Sequence, residues 1–214
     1  MIVVIGHIKG GTGKTTTAFQ LAMHRRLTKP DRKVWLIDAD EQQSALDTVS
    51  IRSDSGLTPA LSCSSYTKGR QLSSQLNAQF ENWDDIIIDC GGRDSDALRV
   101  ALLACDKLIV PCLPRAYDIW ALSRLETLIE SARNLGAEFD AYAFINRRDK
   151  SADCRETIDI LEKSEVFTLM KSSFSSRMSY AKAGGQGKAL SEMKPADKKA
   201  LSELEAFSKE VFED

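Results

Sequence analysis

The chain has 214 residues, 43% of them hydrophobic, enough to bury one sizeable core and to predict a single domain over residues 1–214. Its formal net charge of −2 excludes a globally basic coat for nucleic acid, leaving only a local basic patch as an option. Five scattered cysteines, odd in number and without C-x-x-C spacing, exclude a disulfide framework or a zinc site and point to reduced thiols in a cytosol.

Short β-branched runs alternate with helical patterns along the whole chain. That alternation predicts an α/β fold with a mostly parallel central sheet flanked by helices on both faces. Strands are expected at Ile2–Ile5, Lys33–Ile37, Asp85–Asp89, Lys107–Pro111, Ala141–Ile145 and Val166–Met170. Helices are expected at Lys14–Leu27, Gln42–Val49, Gln71–Phe80, Asp94–Ala104, Ile119–Leu135, Ala152–Lys163, Ser175–Ala183 and Ala196–Phe212. The Ser-rich stretch Asp54–Thr67 reads as a mobile surface loop. The opening apolar run is too short for a secretory or membrane segment, and no later run approaches a spanning length, so a cytoplasmic protein is expected.

Between the first strand and the first helix lies Gly10-Gly11-Thr12-Gly13-Lys14-Thr15-Thr16. Glycines let successive backbone N–H groups turn inward as an anion nest, and the following helix adds its positive end. In that setting Lys14 is expected at the β- and γ-phosphates of a nucleotide, the Thr15 hydroxyl on Mg²⁺ and Thr16 at the α-phosphate. Ile8 stands where the usual phosphate-loop pattern has its first glycine, and Lys9 is a second lysine among the glycines.

Lys9–Thr16 resembles the deviant Walker A motif, KGGxGK[ST]T, of the ParA/MinD ATPase superfamily, a P-loop NTPase fold. The resemblance implies that Lys9 crosses to a partner subunit and contacts the nucleotide there. ATP occupancy would then couple to a sandwich homodimer, since two positive sites without ATP would not close on each other. Asp38-Ala39-Asp40-Glu41-Gln42, at a strand end, resembles the family's DxDPQ switch with Glu41 in place of proline. This implies that Asp40 orients the attacking water and Asp38 supports Mg²⁺ through water, or the two with roles exchanged. Asp85–Asp89 has the Walker B form, and Asp89 is expected to hold a Mg²⁺-bound water. Cys90-Gly91-Gly92-Arg93-Asp94 then resembles a plasmid-partition subset, its two glycines suiting a switch loop. No histidine pairs recognisably with Cys90, which argues against a nucleophilic role, and His7 reads as a packing or solvated residue.

Asn146-Arg147-Arg148-Asp149 is similar in spacing to a base-reading NKxD, giving Asn146 an expected adenine contact. Pro111–Pro114 and Tyr117–Trp120 resemble the family's crossover near the dimer face. Residues Lys171–Lys199 carry seven basic residues (Lys171, Arg177, Lys182, Lys188, Lys194, Lys198, Lys199) against Glu192 and Asp197, a local excess of five. Such a patch suits salt-sensitive, sequence-independent DNA binding, with a solvated helical face as the alternative. No helix-turn-helix precedes the phosphate loop, and the acidic run Glu203–Asp214 disfavours an anionic membrane.

Together these expectations describe an ATP-dependent DNA segregation ATPase that converts ATP and water to ADP and phosphate. It would use Mg²⁺, dimerise on ATP, associate with the nucleoid and be stimulated by a centromere-binding or adaptor partner. The alternatives are a cargo-positioning relative, a metabolic ligase of the dethiobiotin or cobyrinate synthetase type, and a scaffold that binds ATP without hydrolysing it.

Overall fold

The structure is a computed structural model that describes residues 1–213, with the side chains of 116–121 left out. The expected side chains at Tyr117–Trp120 therefore lie outside the described residues.

Seven strands form the sheet: β1 (Ile2–Ile5), β2 (Val34–Ala39), β3 (Ser62–Ser65), β4 (Asp85–Cys90), β5 (Lys107–Cys112), β6 (Asp140–Arg148) and β7 (Thr168–Ser175). Their spatial order is β3-β2-β4-β1-β5-β6-β7, and every pairing is parallel. A parallel sheet must be covered on both faces, which is why β2, β4 and β5 are buried at every residue. The α-helices among the described residues are α1 (Lys14–Thr28), α2 (Ser44–Asp54), α3 (Gly69–Gln79), α4 (Asp96–Ala104), α5 (Ala116–Asn134), α6 (Ala152–Glu162), α7 (Met178–Gly185) and α8 (Lys198–Phe212).

Successive strand side chains alternate between two cores. Val4, Ile37, Ile88 and Val110 pack with Leu72 and Leu76 of α3, Leu98 of α4, Leu125 of α5 and Leu161 of α6. Val3, Ile5, Leu36 and Ile87 pack with Leu21 of α1, Val49 of α2, Ala183 of α7 and Phe207 of α8. The apolar stripe of α8 (Leu204, Phe207, Val211) is thus inside the core rather than presented to a lipid surface. Among the described residues no helix is long and apolar enough to cross a membrane.

Two expectations are corrected. The stretch Asp54–Thr67 is not wholly a loop: α2 runs on to Asp54, and Ser62–Ser65 pairs with Trp35–Asp38 as the edge strand β3. Its serines lack an apolar signal, and β3 is held from the side by the Trp35 indole N–H, which donates to Ser64 Oγ at 3.2 Å. The last strand is Thr168–Ser175 rather than Val166–Met170, because it is a half-buried edge strand that alternates (Met170, Ser172 and Phe174 inward) instead of running continuously apolar. Its irregular pairing with β6 leaves amides that carboxylates of α8 satisfy. Lys171 N–H and Ser172 N–H donate to Glu210, and Ser175 N–H donates to Glu203.

Where a capping side chain sets a helix start, α4 and α8 begin two residues later than expected and α6 begins at Ala152 as expected. Ser95 Oγ accepts from Leu98 N–H at 3.1 Å, Ser151 Oγ from Cys154 N–H at 3.1 Å, and Asp197 Oδ1 from Ala200 N–H at 3.1 Å.

Candidate functional site

Register places the acidic residues before any side chain is considered. Asp89 near the end of β4 lies level with Ile5 of β1 on one side and Asp38 of β2 on the other, so two carboxylates stand at adjacent strand ends beside the strand that feeds the glycine loop. Ligands of open parallel sheets bind at these carboxyl ends, where strand order reverses. A cleft of about 870 Å³ opens there, lined by Gly10, Gly11, Gly13, Lys14, Thr15 and Thr16 of the loop and by Asp40, Glu41, Gly92 and Arg93 of the two neighbouring loops.

The glycine loop is held from beneath. Gly13 has φ 94°, a left-handed conformation that side chains resist, and a Cβ there would stand 2.2 Å from Nδ2 of Asn146. That Nδ2 donates to the Thr12 carbonyl at 2.7 Å, while Asn146 Oδ1 accepts from Arg147 N–H at 2.9 Å. Asn146, expected at the adenine, thus has both ends of its amide engaged within the protein and props the loop; its neighbour Arg147 lines the cleft.

Lys14 is 6% exposed and its Nζ donates to the Lys9 carbonyl at 3.0 Å. Burial lowers its pKa, opposed by Asp89, Asp40 and Cys90. Lys9 is half-buried and does not line this cleft. His7 is fully buried and its Nδ1 accepts from Lys9 N–H at 3.0 Å; burial, then Lys14 and Lys9, push its pKa down to about 4, so the ring is neutral and shapes the loop. The sequence offered no signal for that bond beyond proximity.

The three aspartates differ. Asp89 is fully buried and neither carboxylate oxygen has a hydrogen-bond partner among the described residues. Burial and the neighbouring Asp38 and Asp40 push its pKa up to about 8, against the pull of the Thr15 hydroxyl and Lys14. A buried carboxylate so placed fits a divalent cation, because a cation would supply the compensation that the protein does not. Thr15 lines the adjoining cleft. No cluster of three His, Cys, Asp or Glu suited to a metal exists among the described residues.

Asp38 is also fully buried, but its oxygens accept from the N–H groups of Asp40 (3.0 Å), Ala45 (2.8 Å) and Leu46 (2.9 Å). It therefore anchors the switch turn and the start of α2. Asp40 lines the cleft, its Oδ1 accepting from Gln42 N–H at 3.2 Å.

Gly92 is needed because a Cβ would meet Gly10 Cα and N at 2.8 Å; the loop after β4 lies directly on the phosphate loop. Cys90 is fully buried and its thiol is pushed up by burial first and by Asp89 next, so it stays protonated and is no nucleophile. Residues to which the sequence gave no role in the site include Glu41 and Arg93, whose side chains form an ion pair at the cleft, and Ala181, Gly184 and Gly185 of α7, which also line it.

Within the basic segment, Arg177 is paired with Asp197 at 3.3 Å and Glu203 at 3.6 Å, whereas Lys171, Lys182, Lys194, Lys198 and Lys199 are exposed. The segment's root is gripped from two sides. Arg52 of α2, 1% exposed, forms a two-pronged pair with Glu192 (2.7 and 2.9 Å) and donates to the carbonyls of Gly187 and Pro59. Gln20 of α1 donates to the Lys188 carbonyl and accepts from Leu190 N–H, both at 2.9 Å.

Comparison with known proteins agrees with this geometry. Residues 1–63 match the family model described as an AAA domain. The maintenance of carboxysome distribution protein A of Halothiobacillus neapolitanus is 27% identical over 98% of this chain and 95% of its own. Apo McdA of Cyanothece superposes with a TM-score of 0.78 at 21% identity, covering 98% of both chains. A plasmid partition protein of Borrelia burgdorferi bound to AMPPNP gives 0.73 at 22% identity, covering 97% of this chain and 98% of that one. With the lysine-bearing glycine loop, the buried Asp89 and the parallel sheet, these likenesses show that the chain has the α/β fold of P-loop ATPases.

Proposed function

We propose that the protein is a positioning ATPase that closes into a homodimer on Mg-ATP, binds DNA without reading its sequence in that state, and is reset when ATP is hydrolysed to ADP and phosphate. The whole of residues 1–214 acts as one ATPase domain. The observation that carries this reading is the division of labour between the two lysines. Lys14 lines its own chain's cleft and Lys9 does not, which suits an ammonium group serving a nucleotide held mainly by a second copy.

In this reading the backbone of Lys9–Thr16 cradles the phosphates, Lys14 leaves the Lys9 carbonyl for the β- and γ-oxygens, and Thr16 reaches the α-phosphate. Thr15 and Asp89 would hold Mg²⁺, which would supply positive charge at the phosphates. Asp40 orients the attacking water. Asp38, hydrogen-bonded to three amides, supports the metal side indirectly by fixing the turn that carries Asp40. The chain supplies few groups to the transition state, so turnover alone is slow and an adaptor or centromere-binding protein stimulates it. The exposed lysines of Lys171–Lys199 form the DNA face, giving nucleoid association.

DNA segregation is the cargo class we favour from the switch-loop sequence Cys90–Asp94. The carboxysome-distribution relative, which spans nearly the whole chain, favours a protein cargo as the second reading. A metabolic ligase would instead show turnover dependent on a small carboxylate and no response to DNA.

Sedimentation with and without Mg-ATP tests the dimer. Lys14→Ala should lose nucleotide binding, whereas Lys9→Ala should keep it and stay monomeric. A Lys9→Ala variant that dimerises on ATP would overturn the trans role and with it the carrying observation.

A further inference from the structure

Glu41 and Arg93 belong to different loops. Glu41 follows β2 and Arg93 follows β4, and these strands are neighbours with Asp38 level with Asp89 and Ala39 with Cys90. Their side chains form an ion pair where both line the nucleotide cleft. A second cation stands on the same carboxylate: Lys68 Nζ lies 3.5 Å from Glu41 Oε1, while Arg93 holds Oε2. Arg93 is 61% exposed, Glu41 53% and Lys68 64%, so water screens all three.

Exposed pairs of this kind contribute little, about 0–1 kcal/mol each. A guanidinium on such a pair is readily drawn away by a more highly charged acceptor, and a phosphate, which its fork also fits, carries more charge than a carboxylate. The exchange does not leave Glu41 without a cation, because Lys68 is already beside it. The loop cannot be far from the phosphates either, since Gly92, the residue before Arg93, lies against Gly10 of the phosphate loop.

We propose that Arg93 is a phosphate-binding residue for the terminal phosphate of ATP, held on Glu41 while no triphosphate is present. The assignment rests on the reading of this cleft as the ATP site. The terminal phosphate is favoured because Arg93 lies on the loop after β4, four residues beyond Asp89 of that strand. Asp89, buried with no hydrogen-bond partner for its carboxylate oxygens, and Thr15 would hold the Mg²⁺ that accompanies a triphosphate. Lys14 reaches both the β- and γ-oxygens, so Arg93 adds a second cation at the one phosphate that ADP lacks. ADP offers Arg93 nothing that Glu41 does not, so the residue discriminates triphosphate from diphosphate. Its release also frees the turn bearing Asp40 from the loop after β4, so charge recognition and the positioning of the water-orienting carboxylate become one event.

The test is equilibrium binding of fluorescent ATPγS and ADP, each with Mg²⁺, to the full chain and to Arg93→Ala, Arg93→Lys, Glu41→Gln and Lys14→Ala, with circular dichroism confirming the fold of each. Arg93→Ala should weaken ATPγS about tenfold and ADP less than about twofold, with Arg93→Lys recovering part of the loss. Glu41→Gln should tighten ATPγS about two- to threefold by removing the competitor, and that gain should vanish in the Arg93→Ala background. An unchanged ratio of ATPγS to ADP affinity in Arg93→Ala, while Lys14→Ala loses both nucleotides, would overturn the Arg93 assignment and leave the ATP site standing. Retention of both nucleotides by Lys14→Ala would overturn the site itself and the assignment with it.

Discussion

Replacing Glu192 by Ala isolates one buried charge. Arg52 is 1% exposed and would lose both of its carboxylate bonds, keeping only the carbonyls of Pro59 (3.0 Å) and Gly187 (3.1 Å). Breaking a buried pair by removing one partner costs about 3–5 kcal/mol. Glu192 is 21% exposed, so water can reach the vacated position and the lower end applies, about 3 kcal/mol. For a chain of this length each kcal/mol moves the melting temperature by about 2–4 °C, so thermal denaturation at pH 7 should show a fall of about 6–12 °C. The pH dependence has a definite sign. Burial pushes the Glu192 carboxyl up, but the Arg52 guanidinium and the Ala189 amide outweigh it and hold the group below its ordinary value. A depressed folded-state pKa gives stability that is present above the unfolded value and lost as pH falls through the folded one. The gap between wild type and Glu192→Gln should therefore shrink below about pH 4. A Glu192→Ala variant within about 1 kcal/mol of wild type at pH 7 would refute the reasoning, since no uncompensated charge would then have been created.

Gly92→Ala puts a Cβ 2.8 Å from Gly10 Cα and N, so the two loops must part; ATP turnover should fall at least about tenfold with little loss of melting temperature, read by phosphate release and calorimetry. Asp89→Asn removes a buried carboxylate without hydrogen bonds and should raise the melting temperature of the nucleotide-free protein by a few degrees while abolishing Mg²⁺-dependent turnover. Removing the charges of Lys194, Lys198 and Lys199 together should weaken retention on DNA of unrelated sequences equally and flatten its salt dependence; unchanged retention in a mobility shift would place the DNA face elsewhere.

What the sequence disclosed follows from how strongly each feature constrains the local chain. Val3–Ile5, Leu36–Ile37 and Ile86–Ile88 are continuous because both faces of a central parallel strand are buried, and that pattern has few other readings. The phosphate loop was equally plain, since so many glycines beside a lysine at a strand end serve little but an anion. Edge strands carry no such mark: β3 is four residues of Ser and Cys, and β7 alternates around Ser172. Among the site residues, the identity of Asp38 and Asp89 was visible, whereas their division of roles was not. One is tied by amides from α2 and the other has none, a distinction that depends on where α2 begins. Asn146 was noticed for its spacing, but its bond to Thr12 spans 134 residues, and no local pattern encodes such a contact.

The helix α2 is fastened at both ends. Its first amides hang on Asp38 beside the nucleotide cleft, and near its last turn Arg52 is locked to Glu192 and to the carbonyl of Gly187. Eleven helical residues form a stiff rod of about 16 Å. Gln20 of α1, the helix that the phosphate loop opens, holds the same far segment at 188 and 190. The turn around residues 38–42 and the segment 187–192, from which Lys194, Lys198 and Lys199 extend, are thus tied to the two ends of one helix. If Lys194, Lys198 and Lys199 serve the DNA face proposed above, α2 is the rod that would link fuel to grip, and shortening or kinking it should uncouple the two while leaving each able to work alone.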